Sequence, residues 1–160
     1  MKRNTVIKID FYSLAYSFNK EISAADLVWL YDRFIKEFPQ SWVNCSGCLI
    51  ERFEDNILTE RVTMYAYEPL GLSVTYEKMR DRKLKNGRII RDGEPFLAVF
   101  DKTKLDRVVE VYCELDTSEG LLMPPEKAWK GISHFIEKGG MSPELEWITP
   151  DVLPESGNWC

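Results

Sequence analysis

Apolar and polar positions alternate through "TVIKIDFYS", where Val6 and Ile7 open an apolar stretch that continues through Ile9 and Phe11. A repeat of two sends successive side chains to opposite faces, so this segment predicts a strand. The period changes after Ser23. Leu27, Leu30, Tyr31, Phe34, Ile35 and Phe38 recur three and four positions apart, the spacing that collects one face of a helix. Ser23 followed by Asp26 offers side-chain partners to the first free backbone N–H groups, in the manner of a capping box. Pro39 forces the residue before it out of helical geometry, so the predicted helix covers 23–38.

Farther along, "GCLIERF" and "ILTERVTMYAYE" flank the polar "EDN" and predict a hairpin. "YEKMRDRKLKNGR" is the one basic run. Its Lys78, Arg80, Arg82, Lys83, Lys85 and Arg88 are interrupted by Glu77 and Asp81. Those mixed signs and the Asn86-Gly87 turn favour a solvated helix or a hairpin edge over a nucleic-acid patch. Phe96 to Phe100 and Leu105 to Leu115 are apolar runs joined by the short polar "DKTK", which predicts a central antiparallel hairpin. Pro125 suits the first turn of a helix, where its missing N–H costs no bond. That helix, 125–138, presents Ala128, Trp129, Ile132, Phe135 and Ile136 on one face. Gly139 or Gly140 is expected to end it with left-handed backbone, and Pro143 blocks its resumption. "ELEWIT" then returns to the sheet, and residues 154–160 form a loose tail. The sum is a single α+β domain over residues 1–153, a mainly antiparallel sheet packed by two principal helices.

A chain of 160 residues that is 44% hydrophobic can bury one core without disulfides or metal. No run approaches the roughly 20 apolar residues that span a bilayer. The amino terminus lacks a continuous apolar segment, which points to a cytoplasmic protein with no membrane partner. Cys45, Cys48, Cys113 and Cys160 are then expected as free thiols. Cys45 and Cys48 have the spacing of a zinc knuckle or a redox motif. A zinc site needs a second ligand pair, whereas Cys113, Cys160 and His134 are scattered, and Leu49-Ile50 continues as a strand where a redox motif would open a helix.

Catalytic signals are sparse. His134 is the single histidine, so acid–base or triad chemistry would hang on one side chain beside the apolar face of the second helix. Neither GxxxxGK[ST] nor GxGxxG occurs, nor do HExxH, GxSxG or the paired deaminase motifs. The reading is of a protein that is not an enzyme, with no catalytic residue, metal ligand or cofactor.

Charge changes the picture more. Residues 1–91 hold 15 Lys and Arg against 12 Asp and Glu, whereas residues 92–160 hold 6 against 14. An acidic half disfavours nucleic acid and favours a basic protein partner, mainly through steered encounter. The same half carries a pattern: "FLAVF", then "PPEKAWKGISHFIEKGG", then "SPELEW". Pro125, Ala128, Ile132, Phe135, Gly139, Pro143, Glu146 and Trp147 give it as a helix, a glycine, a proline and an "E.W" strand. This resembles the α+β immunity proteins encoded beside bacterial polymorphic toxins and contact-dependent growth inhibition toxins. The match is built mostly from packing residues, and nothing before "FLAVF" contributes to it.

The resemblance implies a protein that binds a cognate toxin carboxy-terminal domain, of the nuclease or nucleic-acid deaminase kind, and occludes its active site without chemistry. Carboxylates would stand in for the phosphates such a toxin expects. The candidate partner-binding residues are Glu114, Asp116 and Glu119 together with Glu144, Glu146 and Asp151, with Trp147 assigned to the core. The alternative is a small metal-binding or nucleic-acid-binding regulatory protein using Cys45, Cys48 and His134 or the basic run.

Overall fold

A computed structural model describes residues 3–12, 17–36, 46–67, 70–112 and 115–154. Its strands are β1 (Thr5–Tyr12), β2 (Ser17–Ile22), β3 (Ser46–Glu54), β4 (Ile57–Tyr67), β5 (Gly71–Lys83), β6 (Ile89–Val99), β7 (Val108–Tyr112), β8 (Leu115–Ser118) and β9 (Glu146–Ile148). The helices are α1 (Leu27–Tyr31) and α2 (Pro125–Lys138). Seven strands form one antiparallel sheet in the order β2-β1-β3-β4-β5-β6-β9, while β7 and β8 pair only with each other.

The sheet follows from strand alternation. Ile9, Ile50, Val62 and Tyr76 lie side by side across four strands, and Phe11, Cys48, Met64 and Val74 form the next row. All eight are buried. Between β3 and β4 the turn residues Asp55 and Asn56 both adopt positive φ, 50° and 67°, the backbone that matches the right-handed twist of a hairpin. The residues on this inner face meet α2, whose Ala128, Ile132 and Phe135 are fully buried.

Ser23 caps the first helical segment as the sequence suggests, with its hydroxyl accepting from the Ala25 N–H and Asp26 Oδ2 accepting from the Ser23 N–H. The path runs through a 3-10 turn at Ala24–Asp26, then α1, then a wider π turn at Asp32–Lys36. Residues 37 and 38, the expected end of this helix, lie outside the described residues. Leu30 and Phe34 enter the core, where the Phe34 ring stands 5.8 Å from that of Phe11 and 5.9 Å from Trp129. The second helix spans Pro125–Lys138 as expected, and Gly139 turns the chain away at φ +74°.

Of the two forms expected for the basic run the structure has the hairpin edge: β5 and β6 continue beyond the edge of β4 as a two-stranded ribbon with a turn at residues 84–88. One expectation needs correction. The apolar runs at 96–100 and 105–115 do not pair with each other. Strand β6 lies between β5 and β9, with Leu97 opposite Thr75 on one side and Ile148 on the other. The Asp101 side chain accepts from the Thr103 N–H and starts a 3-10 turn at Lys102–Lys104. That turn carries the chain off the sheet, so β7 finds its partner in β8.

On the opposite face of the sheet Leu97 and Val99 pack with Leu121 and Leu153 into a second, smaller core, flanked by Leu105 and Ile148. Among the described residues it covers one end of that face.

Candidate functional site

The β7–β8 hairpin is fixed at its base. The Ser118 hydroxyl donates to the Leu105 carbonyl at 2.7 Å, and the Glu119 N–H donates to the Arg107 carbonyl at 2.8 Å. The backbone N–H groups of Phe100 and Asp101 both donate to the Gly120 carbonyl. This approach needs glycine, because a Cβ at position 120 would stand 2.5 Å from the Asp101 carbonyl oxygen. The two hydrogen bonds from Thr103 hold the Asp101 carboxyl below its usual pKa, with the cations of Lys104 and Arg107 adding to the shift.

Above this base Glu110 and Asp116 face each other as direct cross-strand partners. Opposed residues in an antiparallel pair have Cβ atoms roughly 4.5–5.5 Å apart, and like charges there repel. Glu110 is exposed and Asp116 half-buried. Neither makes an ion pair among the described residues. Glu114 belongs to the intervening tip and lies outside the described residues.

The remaining expected carboxylates are spread out and mostly engaged. Glu119 lies 3.5 Å from Lys104 and 3.7 Å from Arg107. Glu146, on β9, pairs with Lys102. Glu144 is 3.6 Å from Lys130 of α2. Asp151 accepts the Thr149 hydroxyl hydrogen. Glu144 and Glu146 do not share a strand, since Glu144 precedes β9 in a turn. Between them Leu145 is buried, and Trp147 packs against the core with its indole N–H on the Ser142 carbonyl. The structure thus groups Asp116 with Glu110, a residue the sequence reading passed over. Its position in "VVEVY", polar among apolar residues, was the available signal.

No protein-family model, curated protein or solved structure matches the chain.

The groups invoked by the alternative reading sit elsewhere. Cys48 is buried in β3 between Phe11 and Met64. Burial, and secondarily the Asp10 charge, pushes its thiol pKa up, away from the thiolate that binds metal or attacks disulfides. Cys45, Cys113 and Cys160 lie outside the described residues. His134 is half-buried on α2, and among the described residues no three metal-ligating side chains converge. The basic ribbon neutralises much of its own charge. Arg82 lies 2.8 Å from Asp92, Arg80 3.4 Å from Glu94, and Arg91 2.9 Å from Asp81.

Proposed function

We propose that the protein is the immunity partner of a bacterial toxin, binding a basic toxin domain in a stoichiometric complex that blocks its active site and performs no reaction. The Glu110–Asp116 pair carries this reading. Two carboxylates held across a hairpin repel each other, and a lysine or arginine from outside would be drawn to both at once. Among the described residues the hairpin's strands form a sheet of their own, so a partner can approach it without dismantling the fold. Negative potential at such a point steers a positively charged partner and speeds association. The helix, glycine, proline and "E.W" order that resembles immunity proteins supports the same reading, as α2, Gly139 and β9 succeed one another on the sheet.

The test uses the toxin domain encoded beside this gene, expressed in bacteria with or without the protein. Wild type should protect the cells. The double variant Glu110→Lys/Asp116→Lys should lose protection, with its circular dichroism spectrum and melting temperature retained. Lys83→Glu, in the distant ribbon, should protect as wild type does. Full protection by the double variant would remove the hairpin from the interface, and the absence of a toxic neighbour would end the proposal.

A further inference from the structure

The face of the main sheet turned away from α2 has a chemistry of its own. Two rows of side chains cross it. Asp10, Leu49, Thr63, Thr75 and Leu97 form one, and Tyr12, Gly47, Tyr65 and Ser73 form the next. All of these except Gly47 and Ser73 line a cleft of about 660 Å³, together with Arg61, Glu77, Pro95 and Pro150. That volume falls within the roughly 300–1,000 Å³ typical of small-ligand sites.

Gly47 shapes the cleft. A Cβ there would lie 2.4 Å from the Tyr12 hydroxyl oxygen, so glycine lets the Tyr12 ring lie down across β3. The Tyr12 hydroxyl hydrogen-bonds that of Tyr65 on the far side. The result is a wall of two phenol rings beside Asp10, two positions before Tyr12 on β1.

The charges there do not cancel. Arg61 Nε donates to Glu77 Oε2 at 2.6 Å, so those two satisfy each other. Asp10 has no hydrogen bond or ion pair among the described residues. One uncompensated carboxylate therefore lines the same cleft as two phenol rings, groups that each attract cations. Leu49, Leu97 and Pro150 supply the apolar contact that the methylene stem of an alkyl cation needs.

We infer that this cleft binds the guanidinium or ammonium end of an alkyl chain, with Asp10 as counter-ion, Tyr12 and Tyr65 as the aromatic wall, and Leu49 and Leu97 beneath the stem. The site lies on the sheet, apart from the β7–β8 hairpin, and does not depend on the immunity reading.

The test is a nuclear magnetic resonance titration of the intact protein with agmatine, which carries a guanidinium and an amine on one alkyl chain. Saturable shifts should appear at Thr63, Tyr65 and Thr75. Asp10→Asn should weaken binding about tenfold, the loss of one close charge contact, with the melting temperature kept. Tyr12→Ala should weaken binding without removing the carboxylate. A parallel titration with the tripeptide Gly-Arg-Gly separates the two sources of such a group. Tighter peptide binding assigns it to an arginine of a partner protein, and tighter agmatine binding to a free amine. No saturable shift with either probe, equal shifts with the dianion glutarate, or unchanged affinity in Asp10→Asn would each overturn the assignment.

Discussion

Glu60 ties four parts of the chain together through one carboxylate. Its Oε1 accepts from the Tyr76 hydroxyl at 2.8 Å and from the Gly140 N–H at 2.8 Å, while Arg52 Nε stands 3.7 Å from Oε2. The backbone just past the end of α2 is thereby fastened to β3, β4 and β5. Half of this arrangement was legible. Glu60 is in phase with Val62, Met64 and Ala66, so strand alternation puts a charged group on the core side, where it needs partners. Gly140 was not legible as one of them, because nothing local couples positions 80 residues apart. A pH effect follows. Burial first, and the bond to Glu60 second, raise the Tyr76 pKa above its ordinary 10.0. The folded state therefore holds the phenol proton more tightly than the unfolded chain. The associated stability is complete below about pH 10, and it fades at higher pH as the unfolded chain ionises first. Unfolding in urea at stepped alkaline pH should show a steeper decline for wild type than for Tyr76→Phe. Parallel declines would contradict the linkage.

Among the elements, the segment from β6 to β8, whose pairing departs from the sequence expectation, shows what pattern alone could resolve. The apolar runs marked the end of β6 and the whole of β7 but not the seven residues of β6 before Phe96, and strand existence does not choose a partner. Apolar "FLAVF" satisfies β5 and β9 equally well. The decisive contacts are the Asp101 cap and the carbonyl of Gly120, and a capping aspartate inside "DKTK" resembles ordinary loop chemistry. By contrast α2 was readable almost to the residue, because Pro125 and Gly139 punctuate it at both ends. The β7–β8 hairpin carries a prediction that links stability to function. Removing one of two facing like charges relieves a repulsion of roughly 0.2–1 kcal/mol. Asp116→Asn should therefore raise the unfolding free energy of the isolated protein by up to about that amount while weakening partner binding. Urea denaturation measures the first effect and calorimetric titration the second. A variant less stable than wild type would mean that Asp116 is stabilised within the fold.

At the scale of the whole molecule, the charge imbalance along the chain is partly cancelled in space. Asp92 and Glu94 of the acidic half meet Arg82 and Arg80 of the basic half across the β5–β6 ribbon. Glu119, Glu144 and Glu146 meet lysines nearby. Exposed pairs of this kind add little stability, typically about 0–1 kcal/mol each, but they shrink the bare negative surface that counting residues suggests. Two of the carboxylates without an ion pair among the described residues, Glu110 and Asp116, face each other on the β7–β8 hairpin, a placement that composition could not reveal because it depends on strand register. The central claim is that this residual charge captures a basic toxin domain. Its most direct test is the association rate of the purified toxin domain with the protein, followed by stopped flow at low and high salt. The account predicts one-to-one binding whose association slows steeply as salt rises, and slows comparably in Glu110→Lys/Asp116→Lys at low salt. An association rate indifferent to both salt and the double substitution would contradict it.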